Sequence, residues 1–317
     1  MDNLTHSLVG ALLGQAGLKR KTGLAMPALI IGANLPDVDA ACLLWLDGIE
    51  HVGFRRGITH GPIAWVLLPL ILAGALYGFD RWQAGRGTRP EARLPVSFKW
   101  LFLLSLLGCL THPALDWLNV YGIRLLEPFS SRWFYGDTLF IIDVWLWALM
   151  GFATWFSLRR EKRDGNWMRP ARVAIAVALM YIGANWLISE YHRDMARLHE
   201  PYPNIAIASP QPFLFWEREI IARKEGGRWV STGWSGRDSG NGYRENSASL
   251  CQFPTADDLA TGGSQSKAFL FWSRAPFAER AQDGSVILRD ARFYDPRARD
   301  RFSVALPDVK CSELSDH

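Results

Sequence analysis

Strong net charge is missing from this sequence: 35 Lys and Arg against 31 Asp and Glu leave a formal +4 over 317 residues. The basic residues gather in short loops beside apolar runs and form no continuous stripe, which excludes nucleic acid as the expected partner. A His-Glu-x-x-His pair is absent, so a zincin-type protease is disfavoured. No Gly-x-Ser-x-Gly elbow occurs either, and no serine stands out as a nucleophile. The N-terminus has no basic region before its apolar stretch and no small-x-small cleavage site, so a secretory leader is not expected.

Long apolar runs are what the sequence does have. Mean hydropathy is near zero, but this averages an apolar part over residues 1–190 with an ordinary water-facing part from 200 onward. About 20 apolar residues cross a hydrocarbon layer. The runs 62–79, 98–118, 139–158 and 171–190 come near that length. A fifth, 24–46, is interrupted by Asn34, Pro36, Asp37 and Asp39, and the opening run 4–18 is short. The expected fold is therefore a mainly α membrane protein: a polytopic helical bundle with about five to six membrane segments over 1–195. A Pro-rich linker (196–212) and a small, mostly antiparallel β soluble domain (213–317) follow. The 15 Trp, many near the ends of the runs, suit interfacial anchoring. Basic clusters at Lys19–Lys21, Arg81–Lys99 and Arg159–Arg172 fall between alternate segments. Placing them in the cytoplasm puts the C-terminal domain in the periplasm, although Arg55 and Arg56 run against this.

The polar residues inside the apolar runs carry the chemistry. Three of the seven histidines follow a threonine at a segment end: Thr5-His6, Thr59-His60 and Thr111-His112. Chance would give about 0.2 such pairs, by the habit of counting matches against expectation. Asp116 lies one helical turn beyond His112, so both project from one face. Asp37 and Asp39 follow the break at Pro36, and Asp143 begins the run 139–158. Ionisable groups in lipid cost several kcal/mol unless paired, wetted or coordinated. Imidazole and carboxylate together suit zinc, and also manganese or iron. The Thr hydroxyls are expected to fix ring orientation. Singly, each feature has an ordinary reading: an interfacial His, a capped turn at Asn34–Asp39, a polar pair within a helix. A shared side of the membrane makes a metal centre the economical explanation. His192, His199 and His317 lie outside the pattern.

The motifs Met1-Asp-Asn-Leu-Thr-His6, Asn34-Leu-Pro-Asp-Val-Asp39, Arg56-Gly-Ile-Thr-His60 and Thr111-His-Pro-Ala-Leu-Asp116 occur in that order. Tyr121-Gly122, Pro128-Phe-Ser130 and Phe140-Ile-Ile-Asp143 follow. Over residues 1–190 this resembles the YdjM family of bacterial inner-membrane, metal-dependent hydrolases. The resemblance implies metal binding at His6, Asp37, Asp39, His60, His112 and Asp116, with Asp143 nearby. Paired carboxylates such as Asp37 and Asp39 can bridge two metals or act as general base, and catalytic work is expected at Asp37, Asp39, His112 and Asp116. One departure is Arg55-Arg56-Gly57, where the family often has His-Arg-Gly. His51 is a candidate replacement ligand, and Arg55 and Arg56 are candidates for an anionic substrate group or for lipid headgroups.

The resulting expectation is an inner-membrane hydrolase that uses a metal-activated water on a phospholipid or lipid-linked envelope substrate. An ion or proton conduit and a non-catalytic envelope assembly protein with a structural metal are the alternatives. In the C-terminal part, strands are expected at Phe213–Trp216, Arg228–Thr232, Ala268–Trp272, Ser285–Leu288 and Arg292–Tyr294. Cys251 and Cys311 are candidates for a disulfide in an oxidising compartment. Cys42 and Cys109 read as inert core thiols.

Overall fold

Hydrophobic helices that must satisfy every backbone group internally dominate the first two thirds of the chain. The structure, a computed structural model, describes residues 1–199, 206–223, 229–234, 243–244, 250–295 and 298–312. Its helices in chain order are α1 (Asn3–Gln15), α2 (Ala25–Asn34), α3 (Glu50–Phe54), α4 (Pro62–Gly85), α5 (Phe98–Trp117), α6 (Val144–Glu161) and α7 (Met168–His199). Strands β1 (Ala206–Pro210), β2 (Arg218–Arg223), β3 (Trp229–Trp234) and β4 (Tyr243–Arg244) come next. Helices α8 (Ala256–Thr261) and α9 (Gly263–Trp272) precede β5 (Pro276–Arg280), β6 (Ser285–Asp290) and β7 (Ser303–Lys310). The chain divides into two compact units: residues 1–39 with 56–186, and residues 40–55 with 187–317.

Four stretches are long and apolar enough to cross a bilayer: Ala25–Leu44, Pro62–Gly85, Phe98–Trp117 and Met168–Leu198. Helix α6 is 18 residues long but ends in Arg159, Arg160 and Glu161, and α1, at 13 residues, reaches only about 20 Å. The first stretch is not one regular helix. After α2 it tightens into a ten-residue 3-10 helix, Leu35–Leu44, a length rarely reached by that geometry. Outward-facing Ile71, Phe152, Leu179 and Met180 are each exposed by about two thirds, as suits side chains that meet lipid.

Small residues let the helices of the first unit approach closely. A side chain at Gly108 of α5 would lie 2.6 Å from the Leu29 carbonyl of α2. One at Gly32 of α2 would lie 2.8 Å from the Ser105 carbonyl of α5, and one at Gly10 of α1 would lie 2.8 Å from the Ile30 Cα. Two apolar clusters fill the remaining space. One joins Leu12, Leu115, Leu146, Met150 and Ala174, the other Ala28, Leu29, Ala73, Leu101 and Leu104.

All three basic loops meet at one end of this unit. Lys19 pairs with Glu161 and lies 4.2 Å over the Trp167 ring, and Arg172 Nε donates to the Ala16 carbonyl at 2.9 Å. Ser97 N donates to Thr22 Oγ1 at 2.8 Å, and Lys21 sits over Trp100. There Asp80 accepts from Arg89 and Arg93 at 3.0 and 2.8 Å.

The second unit holds two antiparallel sheets, ordered β1-β2-β3-β4 and β5-β6-β7. Ser285–Leu288 lies within β6, and β3 covers the described part of the expected strand Arg228–Thr232. The other three expectations are corrected. Phe213–Trp216 is a turn, Arg292–Tyr294 starts inside a short 3-10 turn, and Ala268–Trp272 is helical. In that last segment Phe269 and Trp272 are both buried and lie three residues apart, a helical spacing that the aromatic content masked. A Thr255/Asp258 capping box starts α8. Trp272 stacks on Phe293 and Phe302 at 5.3 and 5.2 Å, and the fully buried pair Arg292–Asp290 (2.8 Å) closes beside it. Cys251 and Cys311 form a disulfide with a Cα separation of 5.2 Å. Cys42 and Cys109 are buried outside any disulfide. Pro201, Pro203, Arg228, His317 and the His199 side chain lie outside the described residues.

Candidate metal centre

The close crossing of α2 and α5 sets the first ligand. With Gly108 against Leu29 and Gly32 against Ser105, the Ala33 carbonyl reaches His112 Nδ1 at 2.7 Å. A carbonyl can only accept, so Nδ1 carries the proton and Nε2 of the neutral ring presents a lone pair. That nitrogen lies 3.6 Å from Asp116 Oδ2 and 3.8 Å from Asp37 Oδ1, and it makes no hydrogen bond.

Two further imidazoles converge on the same place. The His6 ring stacks on His112 with centroids 3.8 Å apart, and its Nε2 is 3.4 Å from Asp116 Oδ1. Neither of its ring nitrogens is hydrogen-bonded, although the residue is fully buried. His60 enters from the short 3-10 turn Ile58–His60, with Nε2 3.7 Å from Asp116 Oδ2. Its Nδ1 contacts Thr59 Oγ1 at 2.9 Å, and Thr59 Oγ1 donates to Asp39 Oδ2 at 3.0 Å. With the Thr59 proton given to Asp39, His60 Nδ1 is the donor, and Nε2 again faces the centre as a lone pair.

Ligand atoms of His6, Asp37 and His112 lie within 4.8 Å of one another, as do those of His60, His112 and Asp116. The donor set fits a divalent cation. Lone pairs of His112 face carboxylate oxygens at separations longer than the roughly 2.7–2.9 Å of a charge-assisted hydrogen bond. Those separations are close to the about 3.4 Å edge of a tetrahedron with bonds near 2.1 Å. Buried imidazoles with idle nitrogens call for an explanation, and a shared cation supplies one.

Not every expected residue joins the cluster. Asp39 stands behind it, taking the Arg56 backbone N–H at 2.8 Å as well as the Thr59 hydroxyl. Asp143 lies outside both groups. It caps α6 through Leu146 N (2.9 Å) and accepts from the Tyr181 hydroxyl (2.9 Å). Thr59 alone of the three threonines orients its histidine. Thr5 donates to Asp2 and accepts from Trp147, while Thr111 donates to the Gly108 carbonyl. His51 binds the Gly48 carbonyl and, like Arg55, belongs to the other unit.

Arg56 differs most from its sequence reading. It is buried, has a left-handed backbone (φ 55°), and its Nε pairs with Asp116 Oδ2 at 2.9 Å. Nη1 donates to Asn119 Oδ1 at 3.1 Å and to the Gly122 carbonyl at 3.3 Å, and the guanidinium lies 4.5 Å over Tyr121. A guanidinium so engaged positions Asp116 and does not reach lipid headgroups. The Met1 amine also contacts Asp116. Sequence reading missed the Ala33 carbonyl and Asn119. Their signals were the glycines one turn before His112 and two residues before Asn34, and the Asn119-Val-Tyr-Gly122 run after Asp116.

The cluster is open beside Asp37, whose side chain is 11% exposed, whereas His6, His60 and His112 are fully enclosed. The cluster lies at the C-terminal end of α5, and the basic loops gather at its N-terminal end.

The uncharacterized protein YfhP of Bacillus subtilis (strain 168) is 28% identical to this chain over 167 residues, half of this chain and 47% of that protein. The chain thus spans about half the length of that relative. No solved structure matches it significantly. Residues 1–192, which hold the whole cluster, match the YdjM inner membrane protein family, and the chain belongs to that family.

Proposed function

We propose that this membrane protein is a metal-dependent hydrolase acting on a phospholipid or a lipid-linked envelope substrate. The observation that carries this reading is the pair of bare imidazole faces, His112 and His6, turned towards the carboxylates of Asp116 and Asp37. His6, Asp37, His60, His112 and Asp116 would hold the ion, with zinc the best match and manganese or iron also suited. A divalent cation there supplies Lewis acidity that activates water near neutral pH.

The protein's own groups divide the remaining work. Asp37, the more exposed carboxylate of the cluster, is placed to accept a proton from an attacking water. Arg56 and Asn119 hold Asp116 in one orientation, and Thr59 with Asp39 holds His60. The buried wall of His6, His60 and His112 excludes bulk water. No separate nucleophilic side chain is required.

The substrate class follows from location. Basic loops face the cytoplasm in inner-membrane proteins, so their meeting at one end of the helical unit supports an outer-leaflet position for the cluster. Arg56 no longer argues against this, because it is spent on Asp116. The disulfide supports a periplasmic second unit, since such bonds persist in oxidising compartments. Unreduced peptide mapping of protein from intact cells is expected to link Cys251 to Cys311; recovery of both as alkylated thiols would reverse the orientation.

Crowding of the polar residues at one end weighs against a conduit, which needs them through the bilayer depth. The complete burial of three histidines does favour a second reading, a structural metal in an assembly protein. Mixed micelles of the purified protein with phospholipid separate the two. Headgroup or phosphate release that a chelator stops and a divalent ion restores is expected. Protein that retains its metal yet releases nothing from phospholipid or isoprenoid-phosphate substrates would leave the structural reading.

A further inference from the structure

The second unit carries an exposed apolar loop. Between β1 and β2 the sequence reads Gln211-Pro-Phe-Leu-Phe-Trp216, with Phe213 65%, Leu214 39% and Trp216 50% exposed. Phe213 also has a left-handed backbone, φ 67°, unusual for a bulky residue and a form of strain that tends to mark function. The loop is nonetheless held firmly. Arg218, 1% exposed, donates through Nη1 to the carbonyls of Phe215 (2.7 Å) and Glu217 (2.8 Å), and Glu217 N closes on the Leu214 carbonyl at 2.9 Å.

Arg218 also fixes the depth of the loop. Its Nε donates at 2.8 Å to Ser189 Oγ of α7, within the same unit. Residues 173–189 of α7 carry no charged side chain, and charges resume at Glu190, Arg193 and Asp194. From Arg172 to Ser189 the helix rises about 26 Å, close to the about 30 Å of a hydrocarbon core. Ser189 therefore lies where the uncharged, membrane-length stretch of α7 ends. Trp186, Leu187 and Tyr191, exposed by 49%, 61% and 58%, form the aromatic-rich margin expected at such a boundary.

From this shared depth we infer that the loop 212–216 is a membrane-interface anchor. Phe213, Leu214 and Trp216 enter the outer margin of the bilayer beside α7 and seat the second unit on the lipid surface. Two aromatic rings and a leucine on a rigid turn match the way interfacial elements bury apolar groups at the headgroup boundary. The occupant is lipid, because the Arg218–Ser189 bond holds these exposed apolar side chains at the level where the uncharged stretch of α7 ends.

Spin labels test the depth directly. Full-length protein carrying Leu214→Cys or, separately, Trp216→Cys is labelled and placed in vesicles of phosphatidylethanolamine and phosphatidylglycerol. Asp257→Cys on the exposed start of α8 provides the aqueous reference. Cys42 and Cys109 are buried and Cys251 is bonded to Cys311, so labelling is confined to the new site. Labels at 214 and 216 are expected to favour collisions with oxygen over a water-soluble nickel chelate several-fold more than the label at 257. A ratio equal to that at 257, at either position in protein that keeps its disulfide, would overturn the anchor. Low collision with both reagents would also overturn it, by showing that protein covers the loop.

Discussion

Purified His112→Ala protein is expected to hold divalent metal more than about 10-fold more weakly than the parent, read by elemental analysis after dialysis against a graded chelator. The scale follows from a comparison: removing a group that merely supports a ligand costs about 10–100-fold in affinity, and His112 is common to both ligand groups. His112 is the preferred variant because its one hydrogen bond, to the Ala33 carbonyl, is lost without stranding a charge. Asp116→Ala would confuse the result, since Arg56 would be left buried without its carboxylate at a cost of about 3–5 kcal/mol. Asp143→Ala supplies the contrast. It is expected to lose about 1 kcal/mol of helix capping while keeping the metal. Parent-like metal content in His112→Ala, or metal loss in Asp143→Ala alone, would remove the basis of the proposed function.

The second large effect is expected at a residue that touches no ligand. Gly108→Val places a side chain where 2.6 Å separates it from the Leu29 carbonyl and 3.1 Å from Ala33 N. Backbone cannot yield as a flexible side chain can, so α2 and α5 must part. Overpacking of this kind costs about 1–3 kcal/mol, and here it also draws the Ala33 carbonyl from His112 Nδ1. Lowered thermal stability and weakened metal retention are therefore expected together. Gly74→Val on α4 meets nothing within 4 Å and should change neither beyond the propensity of the residue itself. If Gly108→Val melts and binds metal like the parent, the close crossing does not position His112.

The parts of the molecule legible in its sequence were those fixed by pattern. Apolar runs gave the membrane helices, and the Thr-His repeats with the i,i+4 pair His112/Asp116 gave most of the cluster. What stayed hidden depended on three-dimensional partners. Arg56 looked like a basic anchor because charge reports nothing about a carboxylate that lies 60 residues away in the chain. Asp143 looked like a ligand because an N-capping Asp and a coordinating one occupy the same place before an apolar run. The roles of Asp37 and Asp39 could not be separated by spacing alone, because their relative direction depends on how tightly the backbone winds after Pro36. In the second unit, β-type composition outweighed the three-residue interval between Phe269 and Trp272.

That winding has a consequence for how the site is tuned. A 3-10 coil advances about 2.0 Å and turns about 120° per residue, against about 1.5 Å and 100° in an α-helix. Over Leu35–Leu44 the tighter coil adds about 5 Å of reach, which compensates for the shortness of α2. Over the three steps from Asn34 to Asp37 it adds about 60° of azimuth. The tight coil thus acts as a set screw: relaxed by one class of helix, the same ten residues would retract and turn Asp37 Oδ1 away from its 3.8 Å approach to His112 Nε2.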